Sequence, residues 1–238
     1  MLPLRDTVRA YSFPVINWVL IGFNTLIFLY EVSLPVEVRN ELFLSFGLIP
    51  ARIDLANPLA NLTNPGVMIS LFSHMFLHGG WFHIISNMWI LYIFGDNVED
   101  RMGSGRFLVF YLLSGLAAAL TQILVSPDSQ IPAIGASGAI AGVLGAYFLL
   151  FPRSRVITLI PLFFIPWIVE IPSIFYLGFW FIAQIFSGIA ALSQMAQGGV
   201  AWFAHVGGFV FGFLFYRLFT PRRHPAYTRQ YPDEYWPW

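Results

Sequence analysis

The chain is predicted to be an all-α membrane protein, a bundle of six transmembrane helices. Three observations predict this class. Hydrophobic residues make up 58% of the 238 positions and charged residues only 10%, against about 25% charge in an ordinary soluble domain. Six separate apolar stretches approach or reach the roughly 17–25 residues that cross a hydrocarbon core. The basic residues, all of them arginine, fall almost entirely on one side of a six-span topology.

The elements follow in order. Residues 1–14 carry Arg5 and Arg9 and form a short N-terminal segment. The first span covers 15–32. Pro14 precedes its apolar run and no small-residue cleavage site follows, so it reads as a true span rather than a signal peptide. Residues 33–80 form a long loop with Pro35, Pro50, Pro58 and Pro65, apolar near its start at Leu42, Phe43, Leu44 and Phe46; short helices partly embedded in the membrane fit this pattern. The remaining spans cover 81–98, 106–126, 137–151, 172–193 and 200–219, closing a membrane domain over 15–219. Residues 156–171 are also apolar, but Pro161 and Pro166 interrupt them and Pro172 follows, which favours an interfacial or re-entrant segment over a crossing. The tail 220–238 is basic and aromatic, with Tyr231, Tyr235, Trp236 and Trp238 suited to the headgroup level.

With six spans both termini share a side. Arg5, Arg9, Arg101, Arg106, Arg153, Arg155, Arg217, Arg222, Arg223 and Arg229 fall there, and only Arg39 and Arg52 fall opposite. The positive-inside rule makes the arginine-rich side cytoplasmic and is consistent with a plasma (inner) membrane protein with both termini inside.

This topology gives depths. Pro152, Arg153 and Arg155 hold the inner end of segment 137–151. The segment rises roughly 22 Å at about 1.5 Å per residue, in a core about 30 Å thick. Ser137 therefore lies roughly 8 Å below the outer boundary. His205 lies roughly 24 Å above Pro221, His83 roughly 24 Å above Glu99, and Asn87 roughly 18 Å above Glu99. Three helices running the same way thus place Ser137, His205, His83 and Asn87 in one layer near the outer side.

Polar and ionisable groups at membrane depth are costly and mark function by default. A serine and a histidine there point to nucleophilic catalysis. His205 would take the Ser137 proton and return it to the leaving amine. The Ser137 backbone N–H, the Asn87 amide and a His83 N–H are candidate oxyanion donors. No acidic residue sits at this depth in the three spans, so no third triad member is evident. Gly138 and Gly142 on the fourth span, and Gly208 and Gly212 on the sixth, have the small-residue spacing of closely packed membrane helices. Such packing would bring Ser137 to His205. Taken singly each residue has a plainer reading: Ser137 as a small packing residue, His205 as a satisfied buried histidine or proton relay, Asn87 as interhelical hydrogen-bonding.

These residues resemble the rhomboid family of intramembrane serine proteases. The resemblance rests on Gly135-Ala136-Ser137-Gly138, on Ala204 and His205 with Gly208 and Gly212, on His83 with Asn87, and on Glu99 with Arg101 and Gly103. It spans about 70–219. It implies a six-helix core, a Ser137–His205 dyad, an oxyanion pair in His83 and Asn87, a structural turn at Glu99 and Arg101, and cleavage of transmembrane protein substrates near their outer ends. Two positions depart. Many members carry a tyrosine one turn after the serine, where this chain has Ala141, and many carry a Trp-Arg pair absent from 33–80.

No cofactor is expected. His74 and His78, four apart and followed by His83, are weak metal-ligand candidates. With no cysteine in the chain and no suitably placed carboxylate, no metal site is expected. His74 and His78 read instead as residues that structure the loop or line the oxyanion site. Zero net charge gives no electrostatic case for a nucleic-acid partner. Two other functions remain: a catalytically inactive rhomboid-like protein that binds membrane clients, and a transporter using the polar layer. Against the transporter, no polar track continues inward past Asn87 and no internal repeat is seen.

Overall fold

The structure is a computed structural model that describes residues 1–162, 165–193 and 200–221. Its frame is helical. Helix α1 spans Val15–Ser33. The long loop folds into α2 (Val36–Phe46), α3 (Pro58–Leu62) and α4 (Pro65–Ser73), with single 3₁₀ turns at Pro50–Arg52 and His74–Phe76. The main bundle continues with α5 (Trp81–Met102), α6 (Ser104–Val125), α7 (Ser137–Leu150), α8 (Ser173–Ser193) and α9 (Trp202–Phe219). These last five and α1 coincide with the six expected spans. Helix α5 runs a turn further than hydropathy suggests, because its final turn, with Glu99, Asp100 and Arg101, is polar. It stops where Gly103 takes φ +79, a conformation that suits glycine.

Four helices, α1, α6, α8 and α9, are long and apolar enough to cross a membrane by length and composition. Helix α7 has only 14 residues. Helix α5 carries His83, Asn87, Asp96 and Asn97 among its apolar residues. The two helices that fall short are the two that bring Ser137 and the His83–Asn87 pair.

One part of the sequence reading changes. Residues 156–162 and 165–171, read from sequence as part of an interfacial or re-entrant segment, are β-strand. Strand β1 (Leu2–Asp6) pairs antiparallel with β2 (Arg155–Leu162), which pairs antiparallel with β3 (Ile165–Pro172), in a sheet ordered β1-β2-β3. Pro161 and Pro166 stand opposite each other near the end of the ladder, where a missing N–H costs little. Val156 and Thr158 are fully buried against the bundle while Trp167 and Ile168 on β3 are exposed. The sheet stands between α5 and α8. Trp89 Nε1 on α5 donates to the Pro3 carbonyl at 2.7 Å, and β3 leads directly into α8, where Ser173 N donates to Ser154 O at 2.8 Å.

Polar caps close the same end. Glu99 accepts from the backbone N–H groups of Ile16 (3.0 Å) and Asn17 (2.7 Å) and from Ser104 Oγ (2.6 Å). A buried carboxylate at the start of α1 satisfies orphan donors and complements the helix dipole. Asp100 accepts from the backbone and hydroxyl of Ser12, and the Arg101 guanidinium lies over the Phe151 ring at 5.3 Å. The tail expected to lie at the interface falls, from residue 222 on, outside the described residues.

Candidate active site

Helices α7 and α9 meet backbone to backbone. A Cβ on Gly208 would collide with the Gly138 carbonyl, and one on Gly212 with the Gly142 carbonyl. In the other direction, a Cβ on Gly142 would sit 3.2 Å from the Gly208 carbonyl oxygen and would collide with Ser114 of α6. Small residues at four-residue spacing allow this approach. Its result is that His205 Nε2 lies 2.8 Å from Ser137 Oγ. Ser137 is the first residue of α7, His205 lies in the first turn of α9, and His83 in the first turn of α5. Helix N-termini carry free N–H groups and partial positive charge, so the site is predisposed to hold a developing anion.

The turn before Ser137 is tightly held. Gly135 has φ +126, and a Cβ there would also stand 2.6 Å from His83 Nε2. Its N–H donates to the His74 carbonyl at 2.8 Å, and Leu48 and Ala133 exchange two backbone hydrogen bonds just upstream. The long loop thereby positions the serine turn through main chain. Gly79 N–H donates to His83 Nδ1 at 3.4 Å, which leaves the ring proton on Nε2, the nitrogen nearest Gly135. Asn87, one turn further along α5, is buried with Nδ2 lacking a hydrogen-bond partner. An unsatisfied buried donor costs about 1–3 kcal/mol, and an incoming oxyanion would relieve it.

The other two histidines support this shell. His74 Nδ1 contacts the Ser70 carbonyl at 2.9 Å. The His78 ring sits edge-on to His83 at 5.1 Å, and its backbone N–H donates to the Glu31 carboxylate at 3.2 Å. Burial pushes the imidazole of His74 down to about 4, and burial with the neighbouring His83 pushes that of His78 down to about 3, so both stay neutral at neutral pH.

Two residues of α8 join the site without any sequence signal. His205 Nδ1 lies 2.8 Å from Gln184 Oε1. Trp180 stacks on the His205 ring at 6.0 Å, and Trp202 meets it edge-on at 6.1 Å. A tyrosine at position 141 is thus not needed to pack this imidazole. The aromatic residues of α8 divide between two faces: Phe175 and Phe179 are exposed, whereas Tyr176, Trp180 and Phe181 pack on the core. A lone glutamine on an apolar helix is not distinguishable in sequence from an interhelical polar contact.

Comparison with known proteins points to one family. The Rhomboid domain family model matches residues 65–222. The chain is 30% identical over 153 residues to Rhomboid protein 1, mitochondrial, of Saccharomyces cerevisiae, covering 62% of this chain and 40% of that protein. It is 36% identical over 98 residues to RHOMBOID-like protein 5 of Arabidopsis thaliana, covering 41% and 32%. It is 30% identical over 142 residues to the putative rhomboid protease YdcA of Bacillus subtilis, covering 57% and 71%. The chain thus spans less than half the length of the yeast and plant relatives.

Proposed function

The chain belongs to the rhomboid family, a protease family whose members sit in the membrane, and we propose that it is itself an intramembrane serine endopeptidase acting on transmembrane protein substrates. The observation that carries this reading is the 2.8 Å approach of His205 Nε2 to Ser137 Oγ across 68 positions of sequence.

In the proposed reaction, Ser137 Oγ attacks the scissile carbonyl carbon while His205 Nε2 takes its proton. The oxyanion accepts from the Ser137 N–H, from His83 Nε2–H and from Asn87 Nδ2. The C–N bond breaks as His205 returns the proton to the leaving amine. Water, activated by the same imidazole, then hydrolyses the acyl-serine. The chemistry needs a carbonyl out of its own helical hydrogen bond, so the substrate unwinds locally at the cut. The resemblance implies a small residue before the scissile bond.

Arginine placement supports a plasma (inner) membrane location with both termini cytoplasmic, and so a cut on the outer side of the membrane. The sheet runs beside α5 from Asn97, which donates to Asp6, to Trp89, which donates to the Pro3 carbonyl, and meets α8 at its start, Ser173, which leaves the first two turns of α5 and the far end of α8 as the route for lateral admission of a substrate helix.

Incubating the purified protein with a panel of single-span substrates, and mapping the cut by mass, tests the reading. Cleavage dependent on Ser137, near the outer end of the substrate span, is the expected result. Binding of clients without any Ser137-dependent cut would instead indicate an inactive rhomboid-like client binder.

A further inference from the structure

Helix α8 is the least buried of the four clearly membrane-spanning helices. Phe175, Phe179, Ile182, Phe186 and Ile189 along it are exposed, as suits a helix bathed in lipid. Yet it carries one amide, Gln184, that is only 6% exposed. Polar side chains in such a helix are costly and are retained where they do something.

Both ends of this amide are engaged. Gln184 Nε2 donates to the Trp180 carbonyl at 3.2 Å, one turn back on its own helix. That bond fixes which way the amide points. The oxygen, not the nitrogen, faces His205 Nδ1 at 2.8 Å. A carbonyl oxygen only accepts, so Nδ1 must carry the imidazole proton. The lone pair is thereby left on Nε2, the nitrogen 2.8 Å from Ser137 Oγ. The opposite tautomer would set a lone pair against the amide oxygen and an N–H against the hydroxyl, and could not act as a base toward Ser137. Trp180, whose carbonyl holds the amide, also stacks on the His205 ring. One turn of α8 therefore sets the tautomer, the tilt and the packing of the histidine together.

We propose that Gln184 is the positioning residue of the dyad, completing a Ser137–His205–Gln184 relay in which a neutral amide takes the place that a carboxylate holds in a serine-protease triad. This rests on the hydrolase reading of Ser137 and His205. A consequence is that the base is assembled only when α8 is seated. An outward displacement of α8 that admits a substrate helix withdraws the acceptor from Nδ1, and reseating restores it.

The test uses the full chain in detergent or nanodiscs and reads the rate at which a fluorophosphonate probe modifies Ser137. In that step the serine oxygen–phosphorus bond forms, the phosphorus–fluorine bond breaks, fluoride leaves, and the hydroxyl proton passes to His205. The rate depends on the base and needs no protein substrate. Gln184→Met keeps length and apolar bulk but removes the acceptor. It should slow labelling about tenfold, the size of one net neutral hydrogen bond. Gln184→Glu keeps an acceptor at the same reach. It should restore labelling to within about threefold of the parent and move the acid limb of the pH–rate profile upward, as a carboxylate beside an imidazole does. Gln184→Met labelling at the parental rate would overturn the proposal. So would equal losses in both variants with unchanged pH profiles, since that pattern belongs to packing alone. Labelling that persists in Ser137→Ala would instead defeat the hydrolase reading on which the proposal rests.

Discussion

The Cα of Gly208 lies directly against the carbonyl oxygen of Gly138, with no room for a methyl group between them. This contact of two backbones sets the distance between α7 and α9, and through it the reach from Ser137 to His205. Gly208→Ala should force the helices apart, because the obstructing atom is main chain and cannot rotate away. Overpacking of this kind costs about 1–3 kcal/mol. The expected outcome is a lowered apparent melting temperature in detergent and a larger fractional loss of activity than of folded protein. A variant that melts and cleaves like the parent would show that the helices can slide without consequence.

Removal of either dyad member should abolish cleavage and leave the fold intact. Ser137→Ala deletes the nucleophile at a half-exposed helix N-terminus, where alanine fits. His205→Ala deletes the base and leaves a space beside Trp180 and Trp202. Circular dichroism and melting should change little for the first and modestly for the second. Near-normal turnover by Ser137→Ala would remove it as nucleophile.

The oxyanion donors should behave differently. Asn87→Ala and His83→Ala are each expected to slow turnover by up to about 10²–10³ without abolishing it, the remaining donors softening the loss. The effect should fall on kcat. A change confined to KM would assign these side chains to substrate binding instead.

Asp6 should give the fold a pH dependence. Its carboxyl is pushed up to about 8 by burial, against the opposing hydrogen bond from the Tyr147 hydroxyl and with a further push from the nearby Asp96. The folded chain holds this proton more tightly than the unfolded chain, whose aspartate titrates near 4. The stabilisation is therefore complete below about pH 4 and is lost as pH rises through about 8. Asp6→Asn keeps a neutral partner for Tyr147 and Asn97 and cannot ionise. Its apparent melting temperature should decline less than the parent's between pH 5 and 9, and parallel declines would assign the dependence to other groups.

Lateral admission predicts a difference between substrates. The chain has no cysteine, so a disulfide engineered between α5 and α8 at the end away from the sheet has no competing thiol. Closing it should block transmembrane substrates far more than short soluble peptides. Equal loss for both would rule against admission between these helices, and a cut mapped to the cytoplasmic flank of a substrate would overturn the proposed topology.

The helices and the Ser137–His205 pair were legible in sequence because each rests on local information: runs of apolar residues, arginines at their ends, glycines four apart. The sheet was not. Residues 156–171 carry an apolar pattern with prolines that suits several structures; β2 and β3 pair with each other locally, but the third strand that completes the sheet, β1, lies far away at Leu2–Asp6. Gln184 was invisible for a related reason. Its role exists only through the meeting of α8 with α9, and no spacing within α8 announces it. Glu99 was legible as part of a turn but not as the cap of α1, a pairing across more than 80 positions.

The pairing of Leu2 with Leu159 also fixes an order of events during synthesis. Strand β1 has no partner until β2 has been made. At about 5–20 residues per second that wait is on the order of ten seconds, with α1, α5, α6 and α7 already produced. The apolar strand must stay out of wrong pairings throughout. Pairing of β1 is thus a late step that ties Leu2–Asp6 to the far half of the bundle.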